Sequence, residues 1–320
     1  MEYCIGVDLG GTQLRAALTD VNGTIYEQIR VPTQAAEGSQ AVIGRIIACI
    51  DHVRAKLTPN DTLLGVGIGS PGPLNPETGV VLTMPNLPGW EQVPLREIVS
   101  QRTGLHTEIG NDANAAALGE WVFGGGKGCR NFVYLTISTG IGSGVIEQGR
   151  LVLGYQGAGA ELGHMILQPE GRLSWEDLAS GTALGRAAAK AMPQWPDSLL
   201  HSLASSESVT AAHVAQAAAQ GDALAKQLME RESELLGLGL VSTMHLFSPE
   251  KVLLGGSVIT ANPWLLDHAR QVVKERAIAQ VYREVPIDVA QLGDQVGVLG
   301  AVALLLYELD RLPSALVAHS

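Results

Sequence analysis

The stretch Glu108-Ile109-Gly110-Asn111-Asp112-Ala113-Asn114-Ala115-Ala116-Ala117 sets one carboxylate, Asp112, at the mouth of an alanine-rich helix. Further on, Leu135-Thr136-Ile137-Ser138-Thr139-Gly140-Ile141-Gly142-Ser143-Gly144 reads as a strand running into a glycine-rich turn. Glycine lets backbone N–H groups come close to phosphate oxygens, which makes Thr139, Gly140 and Gly142 candidate phosphate contacts. A base and a phosphate cradle together point to phosphoryl transfer onto a hydroxyl. Asp112 would take the hydroxyl proton as the oxygen attacks a γ-phosphate. The same Asp112 also suits a plain helix N-cap, and the spacing alone does not choose between the two. Asn111 and Asn114 supply neutral hydrogen-bonding groups beside it.

A second turn of the same kind, Gly10-Gly11-Thr12, follows an apolar strand, and Thr12 adds a hydroxyl donor. Asp8, just ahead of it, would orient magnesium through water, since that ion keeps much of its hydration shell. Taken alone, this turn is equally an ordinary hairpin; the second turn at residues 139–144 favours the phosphate reading. Glu161 and His164 share one side of a helical turn in an otherwise small, apolar tract, and Glu176 follows. Two carboxylates and an imidazole suit adjacent hydroxyls on a sugar ring, against the plainer alternative of a solvated Glu and a satisfied His. Gly67-Ile68-Gly69-Ser70-Pro71-Gly72 fits the dinucleotide fingerprint by letter, but that fingerprint must open a helix. Pro71 and Pro73 forbid one, so a rigid loop beside a substrate pocket is expected.

The elements that must position these residues alternate. Strands are expected at 3–9, 14–20 and 24–32, with a hairpin turn at Asn22-Gly23. A helix at 42–57, a strand at 63–68, a helix at 95–102 and a strand at 107–110 follow. The second half repeats the idea with strands at 132–138 and 144–147. Residues 182–240 read as almost wholly helical, with a loop near 193–208. A strand at 251–254 ends in Gly255-Gly256, and an Ala/Leu helix at 297–312 is expected to pack back on the first lobe. The two strand–turn–strand units, Val7 to Thr12 and Ile137 to Gly142, suggest a weak internal duplication. Two such lobes would enclose a cleft, where ligands usually bind.

Composition narrows the class. The 320 residues suffice for two compact lobes, and 38 glycines with few aromatics favour close helix–sheet packing. A net charge of -11 without any basic run argues against a nucleic-acid or anionic-membrane surface. The 3 cysteines, Cys4, Cys49 and Cys129, are scattered and form neither a disulfide framework nor a CxxC zinc motif. No leader segment is evident, and no apolar run approaches the ~18 residues of a membrane span. A cytoplasmic protein is expected.

Taken in order, Asp8-x-Gly10-Gly11-Thr12, Pro85-Asn86-Leu87-Pro88-Gly89-Trp90, Asn111-Asp112-Ala113-Asn114-Ala115-Ala116, Ser138-Thr139-Gly140-Ile141-Gly142 and Glu161-Leu162-Gly163-His164 closely resemble the ROK sugar kinases of the actin-like ATPase superfamily. The resemblance covers nearly the whole chain. It implies a two-lobed α/β fold of the actin-like, ribonuclease-H-like kind. The expected lobes are residues 1–111 plus 300–320 and residues 112–299. It implies ATP with magnesium, a hexose phosphorylated at its 6-hydroxyl, Asp112 as general base and a homodimer. Asn86, Asn111, Glu161, His164 and Glu176 fall on the family's sugar-binding positions, and Gly255-Gly256 on its adenosine-side turn. Within the family the set looks most like the glucokinases. A fructokinase, an N-acetylhexosamine kinase, a catalytically silent sugar-binding protein and a sugar-responsive repressor are the rivals. The repressor reading is disfavoured because the first strand starts at Tyr3 and the charge is acidic.

One departure is large. The family typically carries a cysteine-rich zinc loop between the His and the second Glu. Here that segment reads His164-Met-Ile-Leu-Gln-Pro-Glu-Gly-Arg-Leu-Ser-Trp-Glu176, shortened and without cysteine. No zinc site is expected, and Arg172, Trp175 or Asp177 would brace the short loop instead. Gln13 stands where many relatives have Lys.

Overall fold

The computed structural model describes residues 1–84 and 88–312. The expected site residue Asn86 therefore lies outside the described residues. In chain order the elements are β1 (Glu2–Leu9), β2 (Gln13–Asp20), β3 (Ile25–Pro32), α1 (Ser39–Arg54), β4 (Thr62–Ser70), β5 (Leu74–Asn75), β6 (Val80–Thr83), β7 (Glu91–Val93), α2 (Leu95–Thr103), β8 (Thr107–Asn111) and α3 (Asp112–Val122). Then come β9 (Phe132–Ile137), β10 (Ile141–Glu147), β11 (Arg150–Leu151), β12 (Ile166–Gln168), β13 (Leu173–Ser174), α4 (Trp175–Ala179), α5 (Gly181–Ala191), α6 (Leu200–Leu203), α7 (Ala211–Ala219) and α8 (Ala223–Phe247). The chain closes with β14 (Lys251–Gly255), α9 (Ser257–Ala261), α10 (Leu265–Arg276), α11 (Gln280–Arg283), β15 (Ile287–Val289) and α12 (Val296–Glu308).

The chain divides into two units: residues 1–130, 144–160 and 291–320, and residues 131–143 and 161–290. The first division thus falls after Arg130 rather than before Asp112. The reason is packing: α3 lies against α12, where Gly119 and Gly300 let the backbones touch, and so stays with the first unit.

In the first unit a sheet of order β3-β2-β1-β4-β8 is antiparallel across β3, β2 and β1 and parallel from β1 through β4 to β8. One face carries Ile5, Val7, Leu9 and Ile68 against Val42, Ile43, Ile46, Ile50 and Val53 of α1, all buried. Those α1 positions recur at helical spacing, which is why this stretch is a helix with one apolar face. The other face carries Cys4 against Val302, Leu305 and Leu306 of α12, and offers that helix a glycine on each of β1, β4 and β8. A Cβ at Gly6 or Gly67 would collide with the carbonyl oxygens of Val298 and Ala301, and one at Gly110 with Leu304. Helix α12 is therefore seated directly on β1, β4 and β8, as its apolar sequence predicted. The Gly67–Gly72 stretch leads from β4 into a loop and then β5, not a helix. The small antiparallel sheet β5-β6-β7 is new relative to the sequence reading.

In the second unit β9, β14 and β15 run parallel, with the first residues of β10 beside β9. The order β10-β9-β14-β15 matches β2-β1-β4-β8 strand for strand, consistent with the suspected duplication. Helices α5 to α8 fill most of residues 181–247, with the expected irregular stretch holding the short α6 and the end of a 3-10 turn at Met192–Gln194. Trp175 is fully buried against α8, at a notch made by Gly239. No helix among the described residues is long and apolar enough to cross a membrane.

Helix α8 also buries Glu232 completely, and neither of its carboxylate oxygens meets a donor among the described residues. Burial pushes this carboxyl up to about 8, against a small opposing pull from Arg231. The neutral acid is favoured in the folded chain, so its contribution to stability is full below the ordinary glutamate range and is lost as pH rises through about 8. Glu232→Gln should remove this loss. Its unfolding free energy relative to the parent, from denaturant titration, is expected to rise between about pH 5 and pH 8, by roughly a kcal/mol per pH unit, and to level off above about pH 8. A pH-independent difference would contradict the assignment.

Candidate active site

The Gly10–Thr12 turn joins β1 to β2 and is closed by Gly10 N–H donating to the Gln13 carbonyl at 3.0 Å. Thr12 and Gly11 are exposed. Fully buried Thr33 holds the turn from behind. Its hydroxyl donates to the Gly10 carbonyl at 2.6 Å, and its N–H donates to the Thr12 carbonyl at 2.9 Å. Arg45 on α1 donates to the Thr33 carbonyl at 3.1 Å and pairs with Glu37. The sequence reading missed Thr33, since only the pairing of β2 with β3 brings it to the turn.

Asp8 is the register partner of Arg15, and its Oδ2 accepts from Arg15 Nε at 2.9 Å and meets Nη2 at 2.6 Å. Burial pushes the Asp8 carboxyl above its ordinary range, and the Arg15 guanidinium pulls against this. Oδ1 stays outside that pair. A single hard oxygen beside a phosphate turn fits a magnesium ion carried chiefly by phosphate and water, rather than one caged by protein. Among the described residues no three His, Cys, Asp or Glu cluster in a way that would hold a metal by themselves.

Asp112 stands at the start of α3 and is exposed. It is not the cap. Asn111 is, with extended backbone and a side-chain oxygen that accepts from Ala113 N–H at 2.9 Å and Asn114 N–H at 3.3 Å. Asp112 Oδ1 shares the Ala113 N–H at 2.8 Å. β8 ends at Asn111, paired in register with Ser70, so the strand sets where the helix begins. With its oxygen used in capping, Asn111 has its amide nitrogen for any ligand. Asn114 is buried, and its side-chain oxygen has no partner among the described residues.

In the second unit Glu161, His164 and Glu176 are built onto the strand that follows the other turn. Leu162 N–H donates to the Ser143 hydroxyl at 3.0 Å. Gly163 lies so close to the Ile141 carbonyl that no side chain fits there. Glu176 Oε2 accepts the Ile141 N–H at 2.7 Å. Glu161 and His164 are exposed and Glu176 is half-buried. The segment between His164 and Glu176 is the β12–β13 hairpin, with Trp175 N–H donating to the Met165 carbonyl at 2.8 Å. Ser174 and Asp177 form a reciprocal cap on α4. Trp175 and Asp177 thus brace the short loop, whereas Arg172 is exposed. Zinc takes Cys and His ligands in its structural sites, and this hairpin offers no cysteine, so its residues do not fit that ion.

The turn at 138–142 is closed by Ser138 N–H on the Gly140 carbonyl, and α5 seats against it through Gly181 N–H on the Ser138 carbonyl at 2.7 Å. Thr139 also lines a cavity of about 470 Å³ within this unit, with Thr182, Arg186, Glu207, Thr210 and Ser257. Gly255-Gly256 contributes by geometry rather than contact. Gly256 adopts a left-handed backbone against the Ile137 carbonyl, and so aims Ser257 and Val258 at the cavity. The volume suits a nucleoside-sized ligand. Thr182, Arg186 and Glu207 carried no sequence signal, because only the packing of α5 and α7 brings them together.

The sequence pattern of the ROK family matches residues 4–308. The chain is 36% identical over 309 residues to a glucokinase of Thermotoga maritima, covering 94% of this chain and 96% of that one. Among solved structures it is similar to a ROK family glucokinase from Streptomyces griseus in complex with glucose and AMPPNP. That match has a TM-score of 0.80 and 33% identity, over 94% of this chain and 98% of that one. A ROK hexokinase from Thermus thermophilus matches with a TM-score of 0.80 and 31% identity, over 96% and 99%.

Thr33→Val keeps the shape of the side chain and removes the bond to Gly10. Nucleotide affinity, read by titration with a fluorescent ATP analogue, is expected to fall about five- to tenfold, with Thr33→Ser restoring it. Unchanged affinity in the valine variant would remove Thr33 from the turn's support.

Proposed function

The chain belongs to the ROK family and is a sugar kinase that transfers phosphate from ATP; on that premise we propose that it is a glucokinase acting on the 6-hydroxyl of glucose. The observation that carries the mechanism is the capping of α3 by Asn111. It spares Asp112 the cap and keeps its carboxylate exposed at the first helical position. In this reading Asp112 accepts the 6-hydroxyl proton while that oxygen bonds to the γ-phosphorus and the bond to ADP breaks. Glu161, His164 and Glu176 hold the other ring hydroxyls, with the Asn111 amide nitrogen beside the base. Asn86 is part of the same proposed set.

The turns at Gly10–Thr12 and Thr139–Gly142 bind phosphate oxygens. The nucleoside occupies the cavity walled by Thr139, Thr182 and Ser257, shaped by Gly255-Gly256. Asp8 would hold magnesium through water, and that ion neutralises charge on the phosphates when bound. Zinc plays no part in this reading. A homodimer is expected from the family resemblance, and the acidic charge speaks against a nucleic-acid or membrane surface.

The first test measures ADP release with ATP and magnesium against glucose, mannose, fructose, N-acetylglucosamine and N-acetylmannosamine, with and without a zinc-selective chelator. Glucose should be preferred and the chelator without effect. Preference for another sugar would replace glucose and keep the mechanism. No turnover on any would leave a silent sugar-binding protein. Asp112→Asn should lower kcat about a thousandfold while glucose still binds by calorimetry. Near-normal turnover in that variant would sink the base assignment.

A further inference from the structure

Glu176 is already engaged within the second unit. One carboxylate oxygen, Oε2, accepts the Ile141 N–H at 2.7 Å, directly after Gly140 of the phosphate turn. The approach is so close that a Cβ on Gly140 would strike that oxygen. The carbonyl of the same Ile141 is covered by Gly163, next to His164. The backbone on both sides of Ile141 is therefore held, its N–H by Glu176 and its carbonyl by Gly163.

The backbone of Glu176 is itself pinned. Ser174 and Asp177 cap the helix on one side of it, and Trp175 is locked into the notch at Gly239. Such a carboxylate does not swing away when no sugar is present. A charge-assisted bond to a backbone N–H is among the stronger hydrogen bonds available to a protein. It fixes the peptide that closes the turn, and with it the direction of the turn's remaining N–H groups.

We propose that Glu176 is a positioning residue for the nucleotide as well as a sugar ligand: its Oε2 holds the Thr139–Gly142 turn in its phosphate-binding shape, so the two substrates share one carboxylate. This rests on the kinase reading above. Only the second oxygen, Oε1, is then left to the sugar, and occupancy of one substrate stiffens the site of the other.

The test is nucleotide binding in the absence of any sugar, where a residue serving the sugar alone has no influence. AMPPNP with magnesium is titrated calorimetrically into the full-length protein and into Glu176→Ala and Glu176→Gln. Alanine removes the acceptor and is expected to weaken AMPPNP binding about tenfold. Glutamine keeps an oxygen for the Ile141 N–H and should bind AMPPNP within about twofold of the parent, while its KM for glucose rises. Parent-like binding by the alanine variant would overturn the proposal, as would equal losses in both variants. Thermal melts check that each variant is folded; should the alanine variant misfold, Glu176→Met, which keeps the bulk but offers no oxygen to the Ile141 N–H, replaces it, with the same tenfold loss expected and parent-like AMPPNP binding overturning the proposal. Failure of the parent protein to bind AMPPNP would instead overturn the kinase reading.

Discussion

Helix α12 touches the first sheet backbone to backbone because β1, β4 and β8 each offer it a glycine, at Gly6, Gly67 and Gly110. Much of the first unit's functional geometry follows from that contact. An apolar helix seated so deeply excludes water from the sheet's centre and covers the inner strands where they are parallel. It also gives α3 a surface to lie on, through Gly119 and Gly300, and so fixes the axis at whose start Asp112 stands. Any side chain at Gly67 would displace the helix by more than a rotamer change absorbs, since the obstacle is the Ala301 carbonyl and not a flexible group.

The second unit uses the same device for a different end. Gly239 opens a notch that takes the Trp175 ring, Gly163 admits the Ile141 carbonyl, and Gly140 admits the Glu176 carboxylate. In each case a missing Cβ lets a bulky or polar group reach a backbone it otherwise could not approach. The chain's many glycines are thus spent on contacts as much as on turns. The hairpin β12–β13 and the cap between Ser174 and Asp177 do the bracing that a metal would do in a longer loop, with hydrogen bonds in place of metal–ligand bonds.

How much of this was legible beforehand depended on the range of the interaction. Strand β1, its turn, and β8 running into α3 are local features, and their residues announce them through apolar runs, glycine pairs and an alanine-rich stretch. The α12 helix was legible both as an element and as a partner for the first unit, since a helix apolar on every side must be buried. Thr33, Arg186 and Glu207 were not legible, because each reaches its place through the pairing or packing of elements distant in sequence. The strands of β5, β6 and β12 were missed for another reason: runs of a few residues carry no period to detect. The division after Arg130 likewise follows from helix packing, which no local pattern encodes.

The neighbouring pair Asn111-Asp112 shows where local reasoning stops and geometry decides. Both residue types cap helices well, so the sequence alone left Asp112 as either cap or base. A cap must have extended backbone and its side-chain oxygen turned onto the helix's first amides. The residue that meets this condition is the last one still paired in the sheet, and the register of Ser70 with Asn111 makes that the asparagine. One step further, Asp112 has entered the helix, is exposed, and shares the Ala113 N–H through its Oδ1. A neutral cap beside a charged first residue also places the negative charge where the helix dipole favours it. Reversing the two residues would put the charge into the cap and the amide at the helix mouth, and an amide accepts no proton from a hydroxyl. The order Asn-Asp, set by where a strand ends, is therefore what makes this helix start suited to chemistry as well as to folding.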